Sequence, residues 1–223
     1  MVGKLAICSW SGGKDSCFAL YKALSQDIRV THLINFVSKE FQRVRFHGTQ
    51  AEMIRAQADA IGISLVQRET TPNGYEKEFK EAVGALAQDG VGRIVCGDIH
   101  LADSRRWVET VCADIGLEVI EPLWRRKSEE ILAEFIGLGF EATVVSAQAD
   151  TFDKSWIGRK VNQKFLDDIR MIKGIDICGE NGEYHTLVTG GPIFKRKIEI
   201  GETRVVRKDT HWFLDILSHT VQK

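Results

Sequence analysis

The chain has 223 residues, of which 43% are hydrophobic and 27% charged, and its formal net charge at pH 7 is -1. These values are typical of a soluble globular protein and do not favour a nucleic-acid-binding surface. The sequence contains no run of about eighteen apolar residues and no signal-peptide cleavage site, so we predict a cytoplasmic protein without a membrane span. Its 5 cysteines are widely spaced and form no C-x-x-C pair, which argues against disulfides and zinc.

Apolar segments of strand length alternate with segments of helical periodicity over most of the chain. We predict strands over residues 5–9, 30–36, 63–68, 93–97, 117–120 and 141–146. Helices are predicted between them, over residues 16–24, 50–61, 75–88, 103–115 and 128–138. This alternation is typical of a doubly wound α/β layer, in which all these strands form one parallel sheet with helices on both faces.

The character of the sequence changes after Ala149. Residues 156–172 show the pattern of one helix, glycines follow among β-branched and aromatic residues, and residues 198–207 alternate like an exposed strand. We therefore predict an α/β domain over residues 1–149 and a smaller α+β lobe over residues 150–223.

The turn between the first predicted strand and helix is rich in groups that bind anions. Residues 11–16 read Ser-Gly-Gly-Lys-Asp-Ser, and consecutive glycines let the backbone approach a ligand closely. The free N–H groups of the turn, the helix dipole and the charge of Lys14 all favour a phosphate group. We expect this polar loop to be exposed, so that Lys14→Ala would leave the fold intact.

A Walker A loop is excluded at this turn. Its first glycine would fall on Cys8, and its Ser/Thr position is occupied by Asp15. The remaining alternative to a phosphate site is a glycine turn that only connects two elements.

A second polar segment begins where we expect a strand of the C-terminal lobe. Residues 178–188 carry two carboxylates, a phenol and an imidazole close together, at Glu180, Glu183, Tyr184 and His185. These groups suit a substrate or metal site, but a polar hairpin turn followed by a surface strand would use the same residue types. The residues by themselves leave both interpretations open.

Residues 11–16 resemble the S-G-G-x-D-S pyrophosphate loop of the N-type ATP pyrophosphatases, the PP-loop superfamily. Together with residues 178–188, they resemble the diphthine–ammonia ligase family over nearly the whole chain. Shorter matching segments are Phe46-His47, Gly97-Asp98-Ile99, Glu121-Pro122-Leu123-Trp124, Trp156-Ile157-Gly158-Arg159 and Gly191-Pro192-Ile193-Phe194. The resemblance implies an α/β fold of the adenine nucleotide α-hydrolase type (HUP-type). It also implies that residues 1–149 form the ATP pyrophosphatase (PP-loop) domain and residues 150–223 the substrate-binding lobe.

The resemblance implies a reaction that joins a carboxylate to ammonia. ATP, bound with Mg²⁺, would be split between its α and β phosphates. The carboxylate would be adenylated with release of pyrophosphate, and ammonia would then displace AMP. The implied nitrogen donor is free ammonium, or ammonia delivered by a separate partner, because these residues leave no room for a glutaminase domain.

The resemblance also implies roles for individual residues. The expected nucleotide-binding residues are Ser9, Ser11, Gly12, Gly13, Lys14, Asp15, Ser16, Phe36 and Gly97, with adenine near Ser9 and Phe36 by the switch-point rule. The expected catalytic residues are Lys14, Asp15, Asp98 and Glu183, and the expected magnesium ligands are Asp15 and Asp98. The acceptor substrate is expected to contact His47, Glu180, Asn181, Gly182, Glu183, Tyr184 and His185.

One departure from the family pattern concerns the acceptor. Diphthine–ammonia ligases typically read G-E-G-G-E-Y-E-T where this chain has Asn181 for a glycine and His185 for a glutamate. The form found here resembles a sister branch thought to act in corrinoid metabolism. The expected acceptor is diphthine on elongation factor 2 or, alternatively, a small carboxylate such as a corrinoid precursor, with weak activity on diphthine.

Other functions and partners follow less directly from the residues. Two alternative functions are an ATP-dependent tRNA thiolase and a nucleotide-binding sensor. A thiolase would need a reactive cysteine pair, which this sequence does not show. A sensor would not need the phosphate loop of residues 11–16. A membrane partner is not expected, and a nucleic-acid partner is not favoured. A homodimer is compatible with the sequence.

Overall fold

The computed structural model describes residues 5–44 and 47–222. Phe46, singled out above together with His47, lies outside them. A five-stranded parallel sheet has the order β3-β2-β1-β4-β5, with β1 at Leu5–Ser9, β2 at Val30–Ser38, β3 at Ser64–Thr70, β4 at Val91–Val95 and β5 at Glu118–Ile120. The helices between them are α1 at Lys14–Leu24, α2 at Ala51–Ile61, α3 at Tyr75–Gln88 and α4 at Ala102–Asp114.

Alternate residues of the strands bury two separate cores. Ala6 and Cys8 of β1 pack on the side of α1 and α2, whereas Ile7 packs on the side of α3 and α4. Helices therefore cover both faces of the sheet, which confirms the predicted doubly wound layer. The order of the strands reverses at β1, which lies between β2 and β4, and parallel sheets bind ligands in the crevice at such a point.

The rest of the described chain adds antiparallel structure. A four-stranded sheet has the order β7-β6-β10-β9, and β8 pairs with β11. The elements are α5 at Ser128–Gly137, β6 at Glu141–Gln148, α6 at Gln163–Ile169, β7 at Tyr184–Gly190, β8 at Ile198–Ile200, β9 at Thr203–Lys208, β10 at His211–Ile216 and β11 at His219–Val221. The core on the α1 side continues into this second sheet through residues such as Val144 and Leu187.

The prediction that residues 141–146 belong to the parallel sheet is wrong. β6 pairs in antiparallel fashion with β7 and β10. Its residues Ala142 to Ala147 are buried, and a strand buried on both faces shows the same apolar run in either kind of sheet. The pairing partner, and not the pattern, decides the sheet.

The predicted single helix over residues 156–172 is also wrong. A short 3₁₀ turn, Lys154–Trp156, is followed by extended chain that pairs back onto β6, with Val161 N donating to Ala142 O at 2.9 Å. Gly158 has a φ of 85°, which no helix accommodates. α6 begins only after Asn162, whose side chain caps it by accepting from Phe165 N at 3.0 Å.

No helix within residues 5–44 and 47–222 has the length and hydropathy needed to span a membrane.

Candidate active site

The loop that follows β1 can be formed only with glycines. Gly12 has a φ of 82°, and a Cβ there would lie 2.5 Å from Gln57 Oε1. A Cβ at Gly13 would lie 2.7 Å from His47 Cε1 and 3.2 Å from Thr186 O. Other parts of the chain therefore pack directly on this backbone, at the carboxyl end of the central strand.

The two hydroxyls of the loop are used to shape it. Ser11 Oγ accepts from Gly13 N at 3.2 Å and lies 3.2 Å from Ser16 Oγ. Ser16 Oγ in turn donates to Gly13 O at 3.1 Å. These bonds hold the turn in one conformation at the N-terminus of α1, where backbone N–H groups and the helix dipole favour an anion.

Lys14 is buried, contrary to the expectation of an exposed loop. It is 3% exposed, and its Nζ lies 2.9 Å from Asp15 Oδ2 and 5.0 Å from the centre of the Tyr184 ring, and also donates to the Cys178 carbonyl. Burial is the largest single effect on the pKa of Lys14 and lowers it, but Asp15, Tyr184 and Cys178 together outweigh burial, so the net pKa is raised and the amine stays charged. The C-terminal residues cover the loop, because Lys14 N also donates to Thr186 Oγ1 at 3.0 Å.

The end of β4 packs against the start of α1. A Cβ at Gly97 would lie 2.8 Å from both Asp15 C and Ser16 N, so only glycine allows this approach. The next residue, Asp98, is half-buried and accepts from Ser104 Oγ at 2.5 Å. The strand order thus brings the predicted magnesium ligands Asp15 and Asp98 to the same end of the sheet.

A carboxylate of the second motif joins this end of the sheet. Glu180 Oε1 accepts from Ile99 N at 2.8 Å. Burial raises the pKa of Glu180 to about 7, and the charges of Asp15 and Asp98 add to the effect. The second motif therefore places a carboxyl group, partly ionised at pH 7, beside the predicted magnesium ligands.

Glu121 lies at the neighbouring strand end and was not among the predicted site residues. Its side chain is 5% exposed, and Oε2 lies 3.1 Å from Arg105 Nε. Burial raises the pKa of Glu121 to about 7, although Arg105 opposes the rise. Glu121 directly follows the predicted strand over residues 117–120. Its position at a strand end was the sequence signal that could have identified it as a site residue.

The fit of a magnesium ion can be tested on the carboxylates. Asp15 Oδ1 is buried and has no hydrogen-bond partner within the described ranges, so it could accept a ligand. The same ranges contain no group of 3 or more His, Cys, Asp or Glu side chains arranged to hold a metal. Mg²⁺ is usually held by one or two carboxylates together with phosphate oxygens, and Asp15 with Asp98 fits such an arrangement.

The polar part of the second motif is a closed turn. Glu183 is 5% exposed, and its carboxylate accepts from Asp176 N at 2.7 Å, Asn181 N at 2.9 Å and Asn181 Nδ2 at 3.1 Å. Gly179 has a φ of 71°, and a Cβ there would lie 2.7 Å from Tyr184 O. Glu183 thus holds the turn that presents the Cys178 carbonyl to the phosphate loop.

The strand after this turn is not the surface strand considered above. In β7, the half-buried His185 is followed by five consecutive buried residues, 186–190. Val188 N donates to Gly12 O at 3.0 Å, and Tyr184 Oη donates to Ile177 O at 2.7 Å. Because β7 lies directly on the loop, the two sequence motifs form one site.

Two imidazoles lie beside the loop. The rings of His47 and His185 are 4.5 Å apart, and His47 Nδ1 lies 3.3 Å from Thr186 O. Burial lowers the pKa of His47 to about 4 and the pKa of His185 well below its ordinary value. Both rings are therefore neutral at pH 7, and they bring no charge to the place where the acceptor is expected.

Gln57 connects the two motifs and was also missed. It is fully buried, and its Nε2 donates to Gly12 O at 2.9 Å and Val188 O at 2.7 Å. Trp10 Nε1 donates to Gln57 Oε1 at 3.0 Å. The only sequence signal for a role of Gln57 was an amide side chain within the apolar pattern of the second predicted helix. Because glutamine is usually exposed, this signal did not indicate a buried position.

The residues predicted near adenine lie at different depths. Ser9 is half-buried at the end of β1, next to the loop. Phe36 packs against Tyr75 and Phe79 on the α3 side of the sheet, with ring centres 5.0 and 5.8 Å away. Whether either side chain contacts adenine stays a prediction.

Comparison with known proteins finds relatives that align over most of the chain. The diphthine–ammonia ligase of Danio rerio is 28% identical over 219 residues, covering 88% of this chain and 86% of that protein. The human one is 27% identical over 220 residues, covering 88% and 82%. A solved structure, a predicted subunit of tRNA methyltransferase from Methanocaldococcus jannaschii, is 14% identical with a TM-score of 0.46, covering 84% of this chain and 97% of that one.

Two family models match the chain in sequence order. Residues 4–119 match the diphthamide synthase N-terminal domain, and residues 127–221 match the diphthamide synthase C-terminal domain. Together the matches cover most of the chain. The chain therefore belongs to the diphthamide synthase family.

Proposed function

We propose that this protein is an ATP-dependent ligase that converts a carboxylate into an amide. The carboxylate attacks the α-phosphorus of ATP, pyrophosphate leaves, and ammonia then attacks the acyl-adenylate with loss of AMP. The observation that supports this proposal best is the direct packing of β7 on the phosphate loop, with Lys14 N bound to Thr186 Oγ1. Groups suited to the phosphates and groups suited to an acceptor thereby line one site, as a two-substrate ligation needs.

The phosphate loop is proposed to hold the leaving pyrophosphate. The N–H groups at the start of α1 and the charge of Lys14 would stabilise the negative charge that develops there. We assign the nucleotide to Ser9, Ser11, Gly12, Gly13, Lys14, Asp15, Ser16, Phe36 and Gly97. Lys14 already contacts Asp15 and the Cys178 carbonyl, so it is positioned before any phosphate arrives.

Asp15 and Asp98 are proposed to hold Mg²⁺, with Asp15 Oδ1 as the oxygen available for it. When bound, the ion neutralises phosphate charge and helps to orient the leaving group. Asp98 is kept in place by Ser104, and Gly97 lets its strand approach α1. Together with Glu180, these carboxylates also give this end of the sheet a negative charge that would attract an ammonium ion.

The acceptor is proposed to lie against the second motif, near His47, Glu180, Asn181, Gly182, Tyr184 and His185. For Glu183 we now propose a positioning role in place of direct catalysis, because its carboxylate is bound to the turn that it closes. The relatives are named diphthine–ammonia ligases, which supports diphthine as the first candidate acceptor. We propose that this diphthine is carried by elongation factor 2, as the family resemblance implies.

A small carboxylate remains the second candidate acceptor. The observation that favours it is the neutral pair of His47 and His185, which offers no charge to the trimethylammonium group of diphthine. A tRNA thiolase is disfavoured, because the five cysteines are buried and burial raises the pKa of Cys178. A cytoplasmic location and a homodimer stay predictions.

The test is a reaction with purified components. The protein is incubated with ATP, ammonium chloride and diphthine-modified elongation factor 2. Phosphorus NMR should show AMP and pyrophosphate, and mass spectrometry should show the carboxylate of diphthine converted into an amide. Formation of ADP and phosphate would refute the adenylation step. AMP formation with only a small carboxylate would retain the chemistry and change the acceptor.

A further inference from the structure

A large cavity lies beside the proposed active site. It has a volume of about 890 Å³, which is in the range of ligand-binding pockets. One wall contains Phe41 and Val44, which follow β2, and the other is the β9–β10 hairpin, with Val206 and Phe213. The proposed nucleotide and magnesium residues do not line it, so the cavity is a separate compartment.

The histidine pair lies between this cavity and the phosphate loop. Gly48 lines the cavity, and a Cβ there would lie 2.6 Å from Phe213 Cδ1. The preceding residue, His47, lies against Gly13 on one side and His185 on the other. Phe213 of the hairpin wall and His185 of β7 both pair with Ser146 of β6, so they lie in one row across the sheet. A ligand in the cavity is therefore next to the rings that border the phosphate loop.

The hairpin wall is an edge strand with a free backbone side. Within the sheet described here, β9 is the last strand and pairs only with β10. Five of the six residues of β9 are exposed. Its alternate residues Arg204, Val206 and Lys208 line the cavity, whereas Val205 and Arg207 belong to the opposite face.

The lining combines apolar surface with charges of both signs. Arg43 Nη2 and Arg204 Nη2 share the Asp215 carboxylate, at 2.6 and 3.0 Å. Lys208 Nζ lies 4.2 Å from the centre of the exposed Phe41 ring. Such a lining can take a ligand that is part aromatic or aliphatic and part charged, and the Phe41 ring already accepts a cation.

We propose that this cavity binds a polypeptide segment of the acceptor protein, the segment that carries the carboxylate to be activated. The segment pairs with the free edge of β9, and its modified side chain extends past His47 and His185 to the phosphate loop. An edge strand beside a cavity recognises an extended peptide through backbone hydrogen bonds and alternate side chains. A free small acid would not need the edge. This inference rests on the proposed ligase function.

A matched pair of adjacent valines tests the inference. Val206→Arg places a long side chain in the cavity, and Val205→Arg places the same side chain on the other face of the strand. Calorimetry with diphthine-modified elongation factor 2 should show affinity reduced at least about tenfold for Val206→Arg and nearly unchanged for Val205→Arg. The affinity of both variants for a non-hydrolysable ATP analogue should stay at the wild-type value.

A second pair covers the case in which Val206→Arg does not fold. Arg204→Ala removes a charge from the cavity wall, and Arg207→Ala removes one from the opposite face. Only Arg204→Ala should raise the KM for the modified factor, by about threefold or more, with kcat unchanged. Equal behaviour within each pair would overturn the inference.

The outcomes separate this inference from the proposed function. If the wild-type protein makes AMP with a small carboxylate but does not bind the modified factor, the inference is wrong and the adenylation chemistry is kept. If the factor binds through the Val206 face but ATP yields ADP, the inference is supported and the proposed function is refuted.

Discussion

The phosphate loop and the cavity beside it differ in exposure. The loop, residues 11–16, lies beneath β7, and its Lys14 is only 3% exposed. Along the cavity, five of the six residues of β9 are exposed. In the loop, backbone groups, hydroxyls and the amine are bound to one another and to β7. Along the cavity, Arg204 has its ion pair at the surface, and Phe41 is 52% exposed. A prearranged loop suits the transfer of a nucleotide, which depends on positioning, and an open wall suits a large acceptor. The following predictions test this difference.

The largest effect is expected from Lys14→Ala. The rate of AMP formation should fall about 100-fold or more, because a preorganised charge on the pyrophosphate is lost. The free energy of unfolding should also fall, by about 2–4 kcal/mol, because Asp15 and the Cys178 carbonyl lose a buried partner. Phosphorus NMR and urea unfolding measure the two quantities. Lys77→Ala, whose side chain is 76% exposed, is the control. Unchanged stability of Lys14→Ala would show that the loop is not locked.

Glu183→Ala should disturb both halves of the site. It removes the acceptor of three hydrogen bonds and leaves two backbone N–H groups without it, at a cost of about 2–3 kcal/mol. The turn also carries the carbonyl that holds Lys14, so affinity for a non-hydrolysable ATP analogue should fall together with turnover. Glu183→Gln, which keeps the shape and one acceptor, should lose less. If calorimetry shows normal ATP affinity for Glu183→Ala, the carboxylate acts on the acceptor alone.

The neutral histidines should make stability depend on pH. Burial lowers the pKa of His47 from 6.5 to about 4, so the unfolded chain binds more protons than the native protein between these values. The contribution of His47 to the free energy of unfolding is therefore complete above pH 6.5 and is lost as the pH drops towards 4. The loss is up to about 1.4 kcal/mol per pH unit for each such histidine. Urea unfolding from pH 4 to 7.5 should show a smaller slope for His47→Gln than for the wild type. His100→Gln, at an exposed position, should keep the wild-type slope.

The smallest effect is expected at the departure from the family pattern. His185→Glu restores the carboxylate that the pattern has near the cation of diphthine. It should raise kcat/KM for diphthine-modified elongation factor 2 by about three- to tenfold, as a charge pair in a partly screened site is worth about 1 kcal/mol. His185→Gln changes the side chain without adding charge and should show no gain. Equal values for the two variants would remove the electrostatic argument for a small acceptor.

The order of the elements could be predicted from local patterns. The alternation of strands and helices specified the α/β layer of β1 to β5, and residues 11–16 marked the loop at the end of its first strand. These features depend on neighbouring residues only, through hydrophobic periodicity and the conformational freedom of glycine. The family resemblance, which the family models confirm, rests on the same short segments.

The depth and the partners of the site were decided by tertiary structure. Strand pairing put β6 into the second sheet and placed β7 over the phosphate loop. This packing buried Lys14 and Glu183 and placed Gln57 between the two motifs. No local pattern contains this information, because a polar residue reads as exposed until its distant partner is known. The sequence by itself indicated the two motifs and the end of the sheet at which the phosphate loop lies, but not the contributions of Gln57 and Glu121. Only the packing of residues more than a hundred positions apart decided which of them are free to meet a substrate.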